Sequence, residues 1–246
     1  MRLPILDGVI RRRVLVNYRV DPDLLARQLP APFRPKLHDG AAVAGICLIR
    51  LEQIHPAFVP LRVGFASENA AHRIAVVWRD EGGPHEGVFI PRRDTGSFVN
   101  HLAGGRLFPG EHHRATFDVA TAGDSIDLHM RSRDGAVTVR VKGHVAVALP
   151  SHSVFASVTE ASNFFEPGAL GYSVTRELHK LHGIRLETQG WRVEPLHVDE
   201  VASSYFEDTA RFPTGTARFD SALIMRNIRH RWHAAGDLYA LPPCGA

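Results

Sequence analysis

The sequence lacks the segments that define several large protein classes. It contains only two cysteines, Cys47 in an apolar run and Cys244 near the end, in 246 residues, too few for a disulfide framework or a cysteine-ligated zinc site. No apolar run approaches the roughly 20 residues of a membrane-spanning helix, and the first residues lack the apolar core and cleavage site of a secretory signal. We therefore expect a cytoplasmic protein that does not enter a membrane.

Lysine is also scarce. The chain has only Lys36, Lys142 and Lys180, so most of its 29 basic residues are arginines, which are spread among 26 acidic residues for a net charge of +3. Nucleic-acid binding needs a clustered basic patch with stacking aromatic residues. The one dense basic run, Arg11–Arg13, lies among apolar, strand-forming residues. The charge pattern therefore argues against a nucleic-acid partner.

The common catalytic signatures are missing as well. No glycine-rich phosphate loop follows a predicted strand, and the chain has no Gly-x-Ser-x-Gly, Cys-x-x-Cys or His-Glu-x-x-His motif. Nothing in the sequence calls for a metal ion or another cofactor, and we predict neither. The functional hypotheses therefore depend on polar residues at unusual positions.

What the chain does contain is a series of short β-like runs separated by turn signals. Apolar residues make up 44% and charged residues 22% of the chain, as in soluble globular proteins. We predict a single domain over residues 1–246, mainly antiparallel β with a few short helices, in a sandwich or a barrel. The predicted strands are Ile10–Tyr18, Ala41–Leu51, Ile74–Trp78, Gly87–Ile90, Arg114–Ala120, Ser125–Arg131 and Ala136–Leu149, with more between Tyr172 and His233.

Three short helices are predicted between these strands. Asp21 is a suitable N-cap and Pro22 suits the first helical position, so one helix follows Asp21. The other two are predicted over Asp94–Leu102 and Ser153–Glu166. Between two of the strands, Asp134-Gly135 predicts a tight hairpin turn.

An adjacent pair among the 15 histidines, His112 and His113, stands at the start of a predicted strand. Because neighbouring strand residues face opposite sides, only one of the two can reach a given cavity, and they are poor joint metal ligands. One interpretation is a single imidazole that acts as an acid, a base or a hydrogen-bond donor in a pocket. The alternative is a solvent-facing pair at a strand edge.

Three further charged features are open to more than one interpretation. Arg11 lies within a strand and needs either solvent or an acidic partner. Glu68 lies in a polar gap between apolar stretches. The run Arg92–Asp94 is interpreted as a charged turn that pairs with local carboxylates, although it could also bind an anion.

Several segments resemble a known family. Tyr18–Phe33 is similar to the opening of the acetoacetate decarboxylase-like superfamily. Gly87–Ile90, the segment after Asp94, and Arg106–Arg114 recur in that order in its uncharacterised DUF2071, or YqjF-like, branch. The resemblance covers most of the chain and is strongest over residues 8–150. It implies a cone-shaped, mostly antiparallel β barrel with an internal pocket, in a protein that forms homo-oligomers.

The resemblance also implies positions for site residues. The decarboxylase uses a lysine that forms a Schiff base with a β-keto acid, next to a second lysine, and these tandem lysines correspond to His112 and His113. The pocket arginine corresponds to Arg11 and one pocket glutamate to Glu68, while the other glutamate position corresponds to Gly45.

The presence of histidines at the positions of the two lysines decides which chemistry is expected. An imidazole cannot form the iminium that decarboxylation of a β-keto acid requires, and no lysine stands at the matching position, so we do not expect decarboxylase activity. His112 and Glu68 are predicted as catalytic and Arg11 and His113 as substrate-binding residues, for acid–base chemistry of a lyase, isomerase or hydrolase on a small organic acid or carbonyl compound. The alternative is a barrel that binds such a molecule without turnover. We expect Arg11, Glu68 and His112 to converge on one cavity.

Overall fold

The computed structural model describes residues 5–59, 64–98 and 110–240. Within these residues most of the chain forms strands, with two α-helices, α1 (Pro22–Gln28) and α2 (Val158–Phe165), and a 3₁₀ turn at Glu166–Ala169. The strands are β1 (Leu6–Val20), β2 (Arg34–Pro35), β3 (Leu37–His38), β4 (Ala41–Pro56), β5 (Phe65–Asp80), β6 (Gly83–Thr95), β7 (His112–Ala122), β8 (Ser125–Ser132), β9 (Thr138–Val145), β10 (Leu170–Val174), β11 (Lys180–Thr188), β12 (Glu194–Ser203), β13 (Ala217–Ala234) and β14 (Leu238–Tyr239).

The strands belong to one large sheet that closes on itself. Pairing of β5 with β6 and of β11 with β13 produces two rings that share a wall: the smaller runs β13–β1–β4–β5–β6–β10–β11, and the larger runs β6–β7–β8–β9–β12–β13–β1–β4–β5. Neighbouring strands are antiparallel except where β6 meets β7 and β10. The predicted mainly antiparallel β class is confirmed, and the sheet is ring-like.

The shared wall separates two hydrophobic cores because its side chains alternate between the rings. In β1, Val14 and Val16 pack into the core of the larger ring together with Leu128 and Met130 of β8. Leu15, between the two valines, packs into the core of the smaller ring. This alternation is the consequence of the two-residue period of a strand that is buried on both faces.

Helix α2 contributes aromatic side chains to the core of the smaller ring. Phe164 and Phe165 are both buried there beside Phe155. The helix begins after Ser157, whose Oγ accepts a hydrogen bond from the backbone N–H of Glu160 at 3.1 Å. Such a cap satisfies one of the free N–H groups of the first turn.

Two local predictions are confirmed. Asp21 caps α1, since its Oδ1 accepts a hydrogen bond from the N–H of Leu24 at 2.8 Å. Residues Asp134 and Gly135 form the turn between β8 and β9, where Gly135 has a φ of 72°. That left-handed backbone conformation is one that glycine adopts without a steric penalty.

The other two helix predictions need correction. Of the predicted helix Asp94–Leu102, Asp94 and Thr95 are the last residues of β6, and residues 99–102 lie outside the described part of the chain. The predicted helix Ser153–Glu166 is shorter, because Ser153 Oγ and the N–H of Val154 both bond to the Asp220 carboxylate and hold this segment in a loop. No helix among the described residues has the length and apolar character needed to cross a membrane.

Packing in the larger ring gives a direct test of this architecture. Leu128 is 0% exposed at the centre of that core, whereas Leu178 is 84% exposed. We expect Leu128→Ala to lower the free energy of unfolding by about 2–5 kcal/mol because it leaves a cavity, and Leu178→Ala to change it by less than about 0.5 kcal/mol. Urea denaturation followed by circular dichroism measures both, and equal effects would contradict the assignment of Leu128 to a packed core.

Candidate functional site

The smaller ring encloses a cavity of about 90 Å³. A cavity of roughly 150 Å³ can hold benzene, and one water needs about 10–15 Å³, so this space suits several waters or a molecule of a few heavy atoms. Its wall is largely apolar, as in most small-molecule sites. The polar and sulfur-containing side chains in the wall are Arg13, Cys47, Asn69, Arg73, Arg93, Asp94 and His112.

Three arginines face this cavity, each on a different strand that the two rings have in common. Arg13 lies on β1, Arg73 on β5 and Arg93 on β6. Their hydrogen bonds go to neutral acceptors. Arg13 Nε donates to Cys47 Sγ at 3.2 Å. Arg73 Nη2 donates to Asn17 Oδ1 at 2.6 Å. We call these three side chains the arginine cluster.

Within the described residues, no guanidinium group of the arginine cluster forms an ion pair with a carboxylate. Arg93 Nε donates to the hydroxyl of Ser173 at 2.8 Å. Arg73 is 4% exposed, and its Nε has no hydrogen-bond partner in the same part of the chain. The carboxylate in the wall, Asp94, is bonded instead to Arg92, with an Nη2–Oδ1 distance of 2.8 Å.

Burial of Arg73 and partial burial of Arg93 have an electrostatic consequence. Desolvation lowers the pKa of Arg73 to about 10 and the pKa of Arg93 to about 10. Both groups stay protonated at neutral pH, so the cavity carries positive charge in a region of low dielectric constant. An anion that enters would relieve this penalty, because each buried cation gains a partner of opposite charge.

His112 is the predicted site residue that reaches the cavity. It is buried at the start of β7, where it pairs with Arg93 of β6. Its Nδ1 lies 3.3 Å from the carbonyl oxygen of Gly110. Because a carbonyl only accepts, Nδ1 is the protonated nitrogen in this contact. The imidazole is therefore held in one orientation at the cavity wall.

His113 points to the opposite side of β7, as strand alternation requires. Its Nδ1 lies 3.2 Å from Asp134 Oδ2, in a surface groove that also contains Arg92. The two adjacent histidines therefore do not share a site.

The structure does not bring Arg11, Glu68 and His112 together as the resemblance implied. The side chain of Arg11 is 60% exposed, and its Nη1 donates to Asn227 Oδ1 at 2.8 Å. Glu68 Oε2 accepts a hydrogen bond from Arg12 Nη2 at 2.7 Å and does not line the cavity. The β1 arginine that reaches the cavity is Arg13.

An irregularity in β1 explains why Arg13, and not Arg11, reaches the cavity. The pairing of β1 with β4 shifts register between Ile10 and Arg12, and a bulge of this kind adds one residue to the alternation. Ile10 and Arg13 consequently face the same ring although they are three residues apart. Nothing in the local sequence marks the position of the bulge.

Arg73 and Arg93 were missed for different reasons. Arg73 lies in an apolar strand, and a buried charge in such a strand is a signal that could have indicated a site. From the sequence, the run Arg92–Asp94 is predicted to be a turn paired with local carboxylates. Arg92 does pair with Asp94 and Asp134, but the run belongs to β6, and Arg93 faces the cavity on the other side of the strand.

None of the three lysines contributes to the wall of this cavity. Lys36 lines a second space of about 20 Å³ that shares Arg13 and Arg73 with this cavity. Its Nζ pairs with Glu86 at 2.7 Å and donates to the carbonyl of Phe164 at 3.0 Å. Lys180 pairs with Glu177 at 3.1 Å. Lys142 is exposed on β9. Among the described residues, no group of three or more His, Cys, Asp or Glu side chains has the arrangement of a metal site.

Comparison with solved structures identifies the fold. An acetoacetate decarboxylase from Legionella pneumophila superposes with a TM-score of 0.60 at 12% identity, over 96% of this chain and 88% of the other. An acetoacetate decarboxylase-like enzyme from Sphingomonas wittichii RW1 gives a TM-score of 0.60 at 12% identity, over 97% and 93%. The enduracididine biosynthesis enzyme MppR, in complex with pyruvate, gives 0.56 at 14% identity, over 97% and 91%.

Sequence comparison identifies the family. No curated protein matches the chain significantly. The model of the DUF2071 family, described as an uncharacterized conserved protein, matches residues 9–220. The protein therefore belongs to the DUF2071 family and has the acetoacetate decarboxylase-like fold.

Proposed function

We propose that the protein binds a small carboxylate that also carries a carbonyl group, with the carboxylate held by the arginine cluster and His112 as the acid–base group. The observation that carries this proposal is that Arg13, Arg73 and Arg93 line one cavity without a carboxylate partner among the described residues, Arg73 being buried and the other two partly buried. A guanidinium group binds a carboxylate through two parallel hydrogen bonds, which are stronger than bonds between neutral groups.

The size and lining of the cavity narrow the ligand class. A space of about 90 Å³ with a largely apolar wall favours a short-chain acid over a sugar, a nucleotide or a peptide. MppR, which shares the fold at 14% identity, has a structure in complex with pyruvate. A keto acid of that size supplies both the carboxylate for the arginines and a carbonyl group for chemistry.

The proposed reaction is proton transfer at the carbon next to the carbonyl group. His112 is suited to move this proton because a neutral imidazole accepts a proton at one ring nitrogen and the imidazolium returns it. A guanidinium group of the arginine cluster would stabilise the enolate oxygen that forms, as fixed cations do at developing negative charge. Such a step belongs to lyase, isomerase or hydrolase chemistry and requires no lysine.

The second candidate function is binding without turnover. The absence of lysine from the described residues of the cavity wall favours it, since the family resemblance implies that decarboxylation uses a lysine Schiff base. Both candidates use the same arginine cluster. They differ in whether His112 changes the bound molecule.

The first experiment tests the arginine cluster as the anion site. We expect pyruvate and propionate to raise the melting temperature of the wild-type protein, because a ligand that binds only the folded state stabilises it. Arg73→Gln and Arg93→Gln should each weaken binding by about tenfold or more, since a charge-assisted hydrogen bond contributes about 1.5–3 kcal/mol.

Arg11→Gln is the matched comparison, because the exposed Arg11 is the arginine that the family resemblance would place in the pocket. We expect it to bind both acids with wild-type affinity in isothermal titration calorimetry. A loss of affinity in Arg11→Gln that equals the loss in Arg73→Gln would contradict the proposed site.

The second experiment tests the acid–base role of His112. Wild-type protein should catalyse exchange of the methyl protons of pyruvate for deuterium in D₂O, followed by proton nuclear magnetic resonance. His112→Asn should slow this exchange by about 10²-fold or more while it still binds propionate. If wild type binds pyruvate but catalyses no exchange, binding without turnover replaces the enzymatic proposal.

The third experiment tests for a Schiff base. Because Lys36 is paired with Glu86 and the other lysines lie away from the cavity, we expect borohydride with pyruvate to add no mass to the protein. Peptide mass spectrometry checks this result. An adduct on any of Lys36, Lys142 or Lys180 would show that the protein retains amine chemistry.

A further inference from the structure

The cavity wall contains a thiol with a cationic neighbour. Cys47 lies on β4 and lines the cavity as a free, buried thiol, with 8% of the residue exposed. Arg13 Nε donates a hydrogen bond to its Sγ at 3.2 Å. In the sequence, Cys47 lies within an apolar run that predicts a strand, so nothing marks it as functional.

A second observation indicates that this wall is built to receive a ligand. Arg73 lines the same cavity, is 4% exposed, and has an Nε without a hydrogen-bond partner among the described residues. Burial lowers the pKa of Arg73 and of Arg93. All three guanidinium groups of the arginine cluster line the cavity that Cys47 also lines.

Cys47 is also distinguished by what surrounds it. Among the described residues of the wall there is no lysine, serine, threonine or tyrosine. Reactive cysteines are found in partly accessible, electropositive surroundings, because the thiolate is the nucleophile and nearby cations stabilise it. Arg13 is a cationic neighbour of Cys47 Sγ and the cavity gives a route to it, whereas a thiol enclosed by apolar groups alone would have neither.

We propose that Cys47 is a nucleophile of this cavity that adds reversibly to the carbonyl carbon of the keto or aldehyde acid held by the arginine cluster. The inference rests on the proposed function, since it requires the carboxylate to be bound first. The Sγ–carbon bond forms as the carbonyl π bond breaks, and the thiol proton ends on the carbonyl oxygen, which gives a hemithioketal or hemithioacetal. No atom is lost, and the addition needs no external oxidant or reductant.

Alkylation rates test whether the arginine cluster directs anions to Cys47. The probes are iodoacetate, which carries a carboxylate, and neutral iodoacetamide; each forms a Sγ–carbon bond with loss of iodide. The protein carries Cys244→Ser, so that Cys47 is the remaining thiol. Relative to glutathione, we expect the iodoacetate-to-iodoacetamide rate ratio at Cys47 to be at least about tenfold higher, which corresponds to about 1.4 kcal/mol.

Two further measurements test whether the arginines cause this preference and whether pyruvate occupies the same space. Arg73→Gln should lower the rate ratio toward that of glutathione, and pyruvate should protect Cys47 from both reagents. Cys47→Ser with Cys244→Ser should take up no label. Peptide mass spectrometry locates and quantifies the modification in each case.

The adduct itself can be observed with pyruvate labelled with ¹³C at its carbonyl carbon. Bound to wild-type protein, this carbon should show a resonance of a tetrahedral carbon, which Cys47→Ser should lack. Propionate has no electrophilic carbonyl, so it should bind wild type and Cys47→Ser equally well. This comparison separates binding from covalent addition.

The outcomes distinguish the inference from the proposed function. If propionate and pyruvate bind but Cys47 reacts only after unfolding in urea, or reacts with both reagents in the ratio found for glutathione, the nucleophilic role is overturned and the carboxylate site stands. If neither acid binds, the carboxylate site fails. If the labelled carbon stays trigonal when bound, Cys47 does not add to it.

Discussion

The interaction on which this molecule's site depends is the enclosure of guanidinium groups by neutral partners. Arg73 is held by the amide oxygen of Asn17 at 2.6 Å, and its Cζ lies 4.7 Å from the ring centroid of Phe165. These partners fix the position of the cation, but they cancel less of its charge than a carboxylate would. The residual positive charge is therefore available to a ligand, at a cost in desolvation that the fold must offset elsewhere.

The sheet topology places the packing that stabilises the fold in one ring and the site in the other. The larger ring is filled by side chains such as Leu128 and Met130, both fully buried. The smaller ring shares four central strands and β6 with it but keeps a cavity of about 90 Å³. Packing in one ring can thus compensate for buried charge and unfilled space in the other, because both contribute to the same closed sheet.

Local sequence signals predicted the elements of the fold better than they predicted the site. The cap at Asp21 and the turn at Asp134-Gly135 depend on neighbouring residues only, and both were found from the sequence. The location of His112 followed from the resemblance together with strand alternation. Arg13 could not be found in this way, since it depends on a bulge in β1, and Arg73 and Arg93 meet only after β5 and β6 pair and the ring closes. Which residues of separate strands meet around a cavity depends on how the strands pair in the tertiary structure. No short segment of the sequence carries that information.

The position of Arg92 explains why no carboxylate of the described residues pairs with the arginine cluster. Asp94 is fully buried in the cavity wall, one residue after Arg93, and burial raises the pKa of its carboxyl group. Arg92 opposes that effect by donating to both carboxylate oxygens, from Nε to Oδ2 at 3.0 Å and from Nη2 to Oδ1 at 2.8 Å. An aspartate bound in this bidentate manner is neutralised from the far side of the strand and has little capacity left for Arg93. The same β6 segment thus supplies a cation to the cavity and withholds the carboxylate of Asp94 from it, and in the proposed function this positive charge is what binds the acid.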